Sequence, residues 1–240
     1  MEQENDNLDI DVGDLFLNKS YTKKPIEYFG VDILVNVLNS ASTDFDLTGQ
    51  VIWPAAQVLT QYIISNQHEY RDKNILEVGS GVGVCGLFLA RLGQPCTLSD
   101  NNETVMELLR MNVQESIDRG YPCKEVTLDW GVEKDINNCL SSDPNGYDYI
   151  IGSDVVYWQT SIVPLFETVD KLLHKSSTSR FIICYQSRST QTDNYLLKKA
   201  QEYGFSFEFI PIESFLNRDY LTFTDSTISI INLIIFKRNE

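Results

Sequence analysis

Basic side chains are scarce in these 240 residues: 19 lysines and arginines stand against 34 aspartates and glutamates, a net charge of −15. Such a field repels a polyanion unless lysines and arginines are concentrated somewhere. Lys23-Lys24 and Lys198-Lys199 are isolated pairs, so no nucleic-acid partner is expected, whereas a cationic, lysine-bearing protein segment suits the surface. Histidine is rarer still, with only His68 and His174, and the five cysteines include no Cys-x-x-Cys pair. Zinc-ligand spacing is therefore lacking, and no metal is expected. An odd number of cysteines argues for reduced thiols and a cytoplasmic setting, the nucleus remaining open. Long apolar runs are missing too: none approaches 18 residues, so no membrane span is expected. Neither is a secretory leader, because the start of the chain is acidic rather than basic-then-apolar. Nothing in the chain points to self-association, and a monomer is expected.

What is present is an ordinary folding composition, 42% hydrophobic and 22% charged. The first 14 residues carry six acidic and no basic side chains, and residues 1–20 are read as a flexible acidic tail before one domain spanning 21–240. Tyr28 to Val35 suggests a strand or two. A helix opens at Trp53-Pro54, with Val58, Leu59, Tyr62 and Ile63 on one face.

From residue 73 strands and helices alternate. Strands are expected over 74–78, 95–100, 125–128, 147–151 and 180–185, with helices over 84–92, 103–116, 162–174 and 193–203. Two last strands, 205–211 and 228–237, have no expected helix between them and suggest an antiparallel closure. The fold class read from this rhythm is α/β: a Rossmann-like, doubly wound, seven-stranded sheet, mostly parallel with an antiparallel C-terminal strand. Ligands of such sheets sit at the carboxyl ends of the strands.

The first of those ends carries Glu77-Val-Gly79-Ser80-Gly81-Val-Gly83. Strand, glycine turn and helix together bring a ligand close to backbone N–H groups. Gly81-Val-Gly83-Val-Cys-Gly86 also satisfies the dinucleotide fingerprint, so the turn alone leaves NAD open, as it does a turn that binds nothing. Three features favour S-adenosylmethionine. Glu77 is placed to meet an ammonium group and would repel a pyrophosphate. Asp100, closing the second strand, suits ribose hydroxyls, though dinucleotide sites use such an acid as well. Trp130, after the third strand, offers an indole for adenine packing.

The fourth strand ends in Ser153-Asp154-Val-Val-Tyr157. Methyl transfer to an amine needs a neutral nucleophile, and a free lysine has a pKa of about 10.4. Asp154 and Tyr157 are the candidate catalytic pair, orienting the amine and accepting its hydrogen bonds. Enzymes that methylate base amino groups typically carry Pro-Pro and an aromatic after the acidic or amide residue here; Asp-Val-Val-Tyr departs from that pattern.

Taken in order, Gly49-Gln-Val-Ile-Trp53-Pro-Ala-Ala56, Leu76-Glu-Val-Gly-Ser-Gly-Val-Gly83, Leu98-Ser-Asp100, Asp129-Trp130-Gly131, Ser153-Asp154-Val-Val-Tyr157 and Cys184-Tyr185-Gln-Ser-Arg188 resemble the class I seven-β-strand protein-lysine methyltransferases, methyltransferase family 16. The resemblance runs from about residue 49 to 215. It implies that Trp53, Gly79, Ser80, Gly81, Asp100, Trp130 and Ser153 contact S-adenosylmethionine, with Glu77 and Gly83 completing the turn. It implies that Asp154 and Tyr157 flank a target lysine on a chaperone, ATPase or translation factor, with Tyr185 and Arg188 near the protein substrate. Cys184 to Ser189 and Ile210 to Phe215 also resemble a branch that methylates histone arginine. A small-amine acceptor and a cofactor-binding module without turnover stay open.

Overall fold

Residues 21–38 and 45–239 are described by a computed structural model; the expected acidic tail lies outside them. The chain enters through an antiparallel hairpin, β1 (Tyr21–Tyr28) and β2 (Val31–Leu38), in register Tyr28 to Val31. Phe29 (φ 52°) and Gly30 (φ 76°) form its two-residue loop. Two consecutive left-handed residues make the turn whose twist matches that of the strands it joins. The expected strand at 28–35 thus straddles a turn, which Gly30 permits and Phe29 follows, its ring packed edge-on to Tyr220 at 5.0 Å.

α1 (Pro54–Ser65) starts on proline, as expected, and Ala55 to Ile64 are all buried. Then follow β3 (Ile75–Val78), α2 (Val84–Arg91), β4 (Cys96–Asp100), α3 (Glu103–Asp118), β5 (Lys124–Thr127), α4 (Glu133–Ser142), β6 (Tyr149–Ser153), α5 (Ile162–Leu172), β7 (Arg180–Gln186), α6 (Thr190–Glu202), β8 (Phe205–Phe209), α7 (Asp225–Ile228) and β9 (Ile231–Arg238). Two helices were not expected. α4 carries Ile136, Cys139 and Leu140 at helical spacing, a signal that its polar remainder masks. α7 is a four-residue turn in the β8–β9 connection.

The main sheet has the order β5-β4-β3-β6-β7-β9-β8. The β3–β4, β4–β5, β3–β6 and β6–β7 pairs are parallel, and β9 runs antiparallel to both β7 and β8. The antiparallel closure expected from the sequence is therefore present, with the last strand inserted between its two predecessors. Strand order reverses between β3 and β6, and a crevice opens outside their carboxyl ends.

Alternation along each strand divides the core. Ile75, Ile151, Ile182 and Cys184 face α1, α2 and α3, among Leu59, Ile63, Phe88 and Leu109. Leu76, Val78, Ile150, Phe181 and Ile183 face the other way, onto a cluster centred on Phe166, Phe205 and Phe236. Each fully buried side chain of this size contributes about 1.5–3 kcal/mol, so both faces hold the strand ends in place.

One buried polar residue ties the hairpin to the crevice. Asn112 of α3 accepts the Asn36 backbone N–H at 2.7 Å and donates through Nδ2 to the carbonyls of Asn36 and Val82, at 3.0 and 2.9 Å.

Candidate active site

A cavity of about 750 Å³ lies outside the carboxyl ends of β3 to β6. Its floor is the glycine turn. Gly79 and Gly81 are both left-handed, with φ 58° and 55°. A Cβ on Gly81 would sit 2.7 Å from the Gly49 carbonyl oxygen, and one on Gly79 3.2 Å from Trp130 Cζ2. At Gly81 the obstructing atom is backbone, so only glycine fits; at Gly79 the crowding atoms are side chains, and the left-handed φ is what favours glycine. The backbone of the turn is stitched to the next strand: Ser80 N–H donates to the Ser99 carbonyl at 2.8 Å, and the Ser80 hydroxyl accepts from Ser99 N–H at 2.9 Å.

Asp100 closes β4 and its carboxylate accepts three backbone N–H groups: Gly81 at 3.1 Å on one oxygen, Asn101 at 2.9 Å and Asn102 at 3.3 Å on the other. Burial pushes this carboxyl above the usual range, against the pull of those donors. Asn101 donates to Asp129 at 3.1 Å, and Asp129 N–H is held by Asp135 of α4 at 3.0 Å. Gly131 N–H donates to Thr168 of α5 at 2.8 Å. The unforeseen helix α4 thus helps fix the loop that carries Trp130. Across the cavity Trp53 anchors its indole N–H on the Thr48 carbonyl at 2.8 Å.

The other wall is made by side chains. Asp154 has φ 58°, an unusual conformation for a residue with a Cβ, and its N–H donates to the Cys184 carbonyl at 2.7 Å. Its carboxylate accepts from Gln186 N–H at 3.1 Å and takes a bidentate pair from Arg188, at 2.9 and 2.8 Å. The Arg188 guanidinium lies 4.2 Å from the centroid of the Tyr157 ring. Tyr157 and Trp158 meet edge to face at 4.7 Å and stand 41% and 47% exposed, an aromatic rim on the cavity mouth.

Of the residues singled out in the sequence, Trp53, Gly79, Ser80, Gly81, Asp100, Trp130, Ser153, Asp154 and Tyr157 line the cavity together. Four do not. Glu77 is buried beneath the turn, where Oε2 accepts the Gly86 N–H at 2.9 Å. Its environment, dominated by desolvation and opposed by that hydrogen bond, raises its carboxyl to about 7. Instead of facing a ligand's ammonium, it braces the start of α2. Gly83 begins α2 with φ 86°, and a Cβ there would strike Leu98 and Leu109 at 2.7 and 2.8 Å, so it serves packing. Tyr185 is buried, its hydroxyl on Asp193 at 3.1 Å, and so cannot meet a protein substrate at the surface. Arg188 reaches the site only through Asp154 and Tyr157. Thr48, Asn101, Glu103 and Trp158 also line the cavity without having been foreseen. Trp158 directly follows the Asp154-to-Tyr157 motif, and its position was the available signal.

Among the described residues, the cavity lining includes four carboxylates, Asp100, Glu103, Asp129 and Asp154, and no lysine, arginine or histidine. A wall of this charge fits a ligand bearing cationic groups, such as the sulfonium and ammonium of S-adenosylmethionine, and disfavours a pyrophosphate. Trp130 and Trp53 add two aromatic faces.

The lysine methyltransferase family profile matches residues 36–202, well over half of the chain. The protein N-lysine methyltransferase METTL21A of Xenopus tropicalis is 31% identical over 150 residues, 62% of this chain and 65% of that protein. The histone-arginine methyltransferase METTL23 of Mus musculus is 34% identical over 171 residues, 70% of this chain and 64% of that protein. The matched segments thus span slightly less than two thirds of these relatives. In fold the chain is similar to the 16S rRNA N2 G1207 methyltransferase of T. thermophilus in complex with AdoMet and guanosine. That likeness has a TM-score of 0.59 and 12% identity, over 91% of this chain and 51% of that one. The sheet is that of the Rossmann-like S-adenosylmethionine-dependent methyltransferases. With its profile matched from β2 to the end of α6, this chain belongs to the lysine methyltransferase family.

Proposed function

We propose that this protein transfers a methyl group from S-adenosylmethionine to a side-chain nitrogen, in the first place that of lysine, on a cytosolic protein of the chaperone, ATPase or translation-factor class. The observation that carries the reading is the cavity: glycine-floored, flanked by two tryptophans, and lined by carboxylates without a basic side chain. When bound, S-adenosylmethionine supplies an electrophilic methyl group on a sulfonium. The backbone at Gly79 and Gly81 and the Asp100 carboxylate hold that donor, and Trp130 packs on its flat ring. Asp154 and Tyr157 orient the acceptor nitrogen at the mouth, while Trp53 and Trp158 limit water. The exposed rim of Tyr157 and Trp158 suits a side chain presented by a protein, and the net charge of −15 suits a cationic segment around it. Five unpaired thiols fit a reducing compartment, the cytoplasm or nucleus.

Arginine is a second reading, supported by the similarity to the histone-arginine enzyme over 70% of this chain. One experiment addresses both. Recombinant protein and labelled S-adenosylmethionine are incubated with cytosolic and histone extracts, and labelled protein is hydrolysed to amino acids. Methyl-lysine is expected, and it is lost with Asp154→Ala. Methyl-arginine selects the second reading; label confined to small molecules, or undiminished by Asp154→Ala, rejects the assignment.

A further inference from the structure

Asp154 presents a chemical difficulty that the site resolves through another residue. A lone carboxylate beside an incoming lysine stabilises the ammonium form, which has no lone pair to attack with. With a pKa of about 10.4, roughly one lysine in 2,500 is uncharged at pH 7 even in water. Each further unit by which a carboxylate raises the amine's pKa cuts that fraction tenfold. The structure pairs Asp154 with Arg188 instead, in two parallel hydrogen bonds of 2.9 and 2.8 Å, and lays the same guanidinium against Tyr157. The Asp154 side chain is only 6% exposed, so the pair is little screened.

The loop that presents Arg188 is itself held. Ser187 Oγ donates to Asp193 of α6 at 2.6 Å, Tyr185 donates to the other Asp193 oxygen, and Arg188 also donates to the Gln186 carbonyl at 3.0 Å. The charged and titratable groups around this corner are Arg188 and Cys184 from β7 and its loop, Tyr157 from the loop after β6, and, behind the Arg188 loop, Tyr185 of β7 and Asp193 of α6. Asp100, Glu103 and Asp129 line the same cavity from the β4 and β5 side. Arg188 is the guanidinium bound to the carboxylate at the acceptor end.

We propose that Arg188 is a positioning residue that cancels the charge of Asp154, so that the target amine enters the acceptor corner as the free base. The inference rests on an amine acceptor, as in the proposed function. The amine lone pair forms the new N–C bond as the S–C bond breaks onto sulfur. The surplus proton on nitrogen then leaves to water.

Initial rates of label transfer from S-adenosylmethionine into heat-treated cytosolic extract, measured from pH 6 to 10, test this. Arg188→Met should be slower than the unaltered protein by about tenfold or more at pH 7, with the gap closing towards pH 10. Arg188→Lys, which keeps the charge, should keep the original pH profile at reduced amplitude. An equal loss at every pH, or a gain at pH 7, overturns the proposal. Calorimetry with S-adenosylhomocysteine checks that the variants fold. Should Arg188→Met fail that check, n-butylamine titrated into the unaltered S-adenosylhomocysteine complex decides, read by NMR at the tryptophan indole N–H signals. Apparent binding at least tenfold tighter at pH 10 than at pH 7 is expected, and the reverse order overturns the proposal. If the unaltered protein binds S-adenosylhomocysteine but labels nothing at any pH, the proposed function itself fails.

Discussion

At the β3–β4 end of the cavity the wall is backbone: left-handed glycines, a serine stitched between two strands, and Asp100 gripping three N–H groups. At the β6–β7 end it is side chains: Asp154 in a conformation glycine would adopt more easily, cross-linked to an arginine 34 residues away and edged by exposed aromatics. The first end leaves no room for a side chain at Gly81, and its carboxylates Asp100, Glu103 and Asp129 stand around that fixed backbone. The second is set by one carboxylate–guanidinium pair and the aromatic side chains beside it. A donor of constant shape suits a wall of backbone, and the protein-borne acceptor proposed above suits a wall of side chains.

The largest expected effect tests the first half of that contrast. Gly81→Val adds a branched side chain where even a Cβ meets a carbonyl at 2.7 Å, in a left-handed conformation. S-adenosylhomocysteine affinity should fall about a hundredfold or more, measured by calorimetry on protein whose circular dichroism is unchanged. Unaltered affinity would show that the turn does not hold the donor. Asp154→Asn tests the second half, keeping shape while breaking the bidentate pair that fixes Arg188 and the acceptor corner. Methyl-transfer kcat should drop by about a hundredfold while S-adenosylhomocysteine affinity stays within about threefold. A matching loss in both would mean the two ends are not separate.

Glu77 sharpens the contrast from beneath. Its carboxyl is raised to about 7, so the folded protein retains a proton that the unfolded chain releases. Stability of the unliganded protein should therefore fall as pH rises from about 4.5 to 7 and level off above. Glu77→Gln can still accept the Gly86 N–H and removes that slope. Its stability, read by denaturant melts, should match the original near pH 4.5 and exceed it at pH 8 by at most about 3 kcal/mol. A difference independent of pH contradicts the assignment. The smallest effect is Trp130→Ala, which removes a face packed on Gly79 without disturbing the turn. About tenfold weaker cofactor binding is expected, with kcat at saturation little changed.

The parts of the site legible in the sequence were those whose cause is local. A strand followed by Gly79 to Gly83, Asp100 at the next strand end, and Asp154 to Tyr157 at the fourth each announce themselves within seven residues. What was not legible depends on distance along the chain or on direction in space. Glu77 stands in the expected place, yet its side chain turns under the loop because the Gly86 N–H at the start of α2 offers a partner there. Tyr185 ends the predicted strand, but alternation points it into the core, onto Asp193. Arg188 was expected near a substrate, and its bidentate hold on Asp154 joins segments that no local pattern connects. Asn112 reads as one polar position on an amphipathic helix; its three backbone contacts exist only once the hairpin has docked. The fold followed the same division, with the alternating strands and helices readable, α4 hidden by its polar face, and the insertion of β9 set by tertiary packing.

The cavity, with its carboxylate lining and two tryptophans, is built for a cationic methyl donor. Calorimetric titration of the full chain with S-adenosylmethionine and, separately, with NAD tests it most directly. Binding of S-adenosylmethionine at micromolar concentration, about −8 kcal/mol, is expected, with no detectable heat from NAD at millimolar concentration. Binding of NAD with S-adenosylmethionine silent would contradict it.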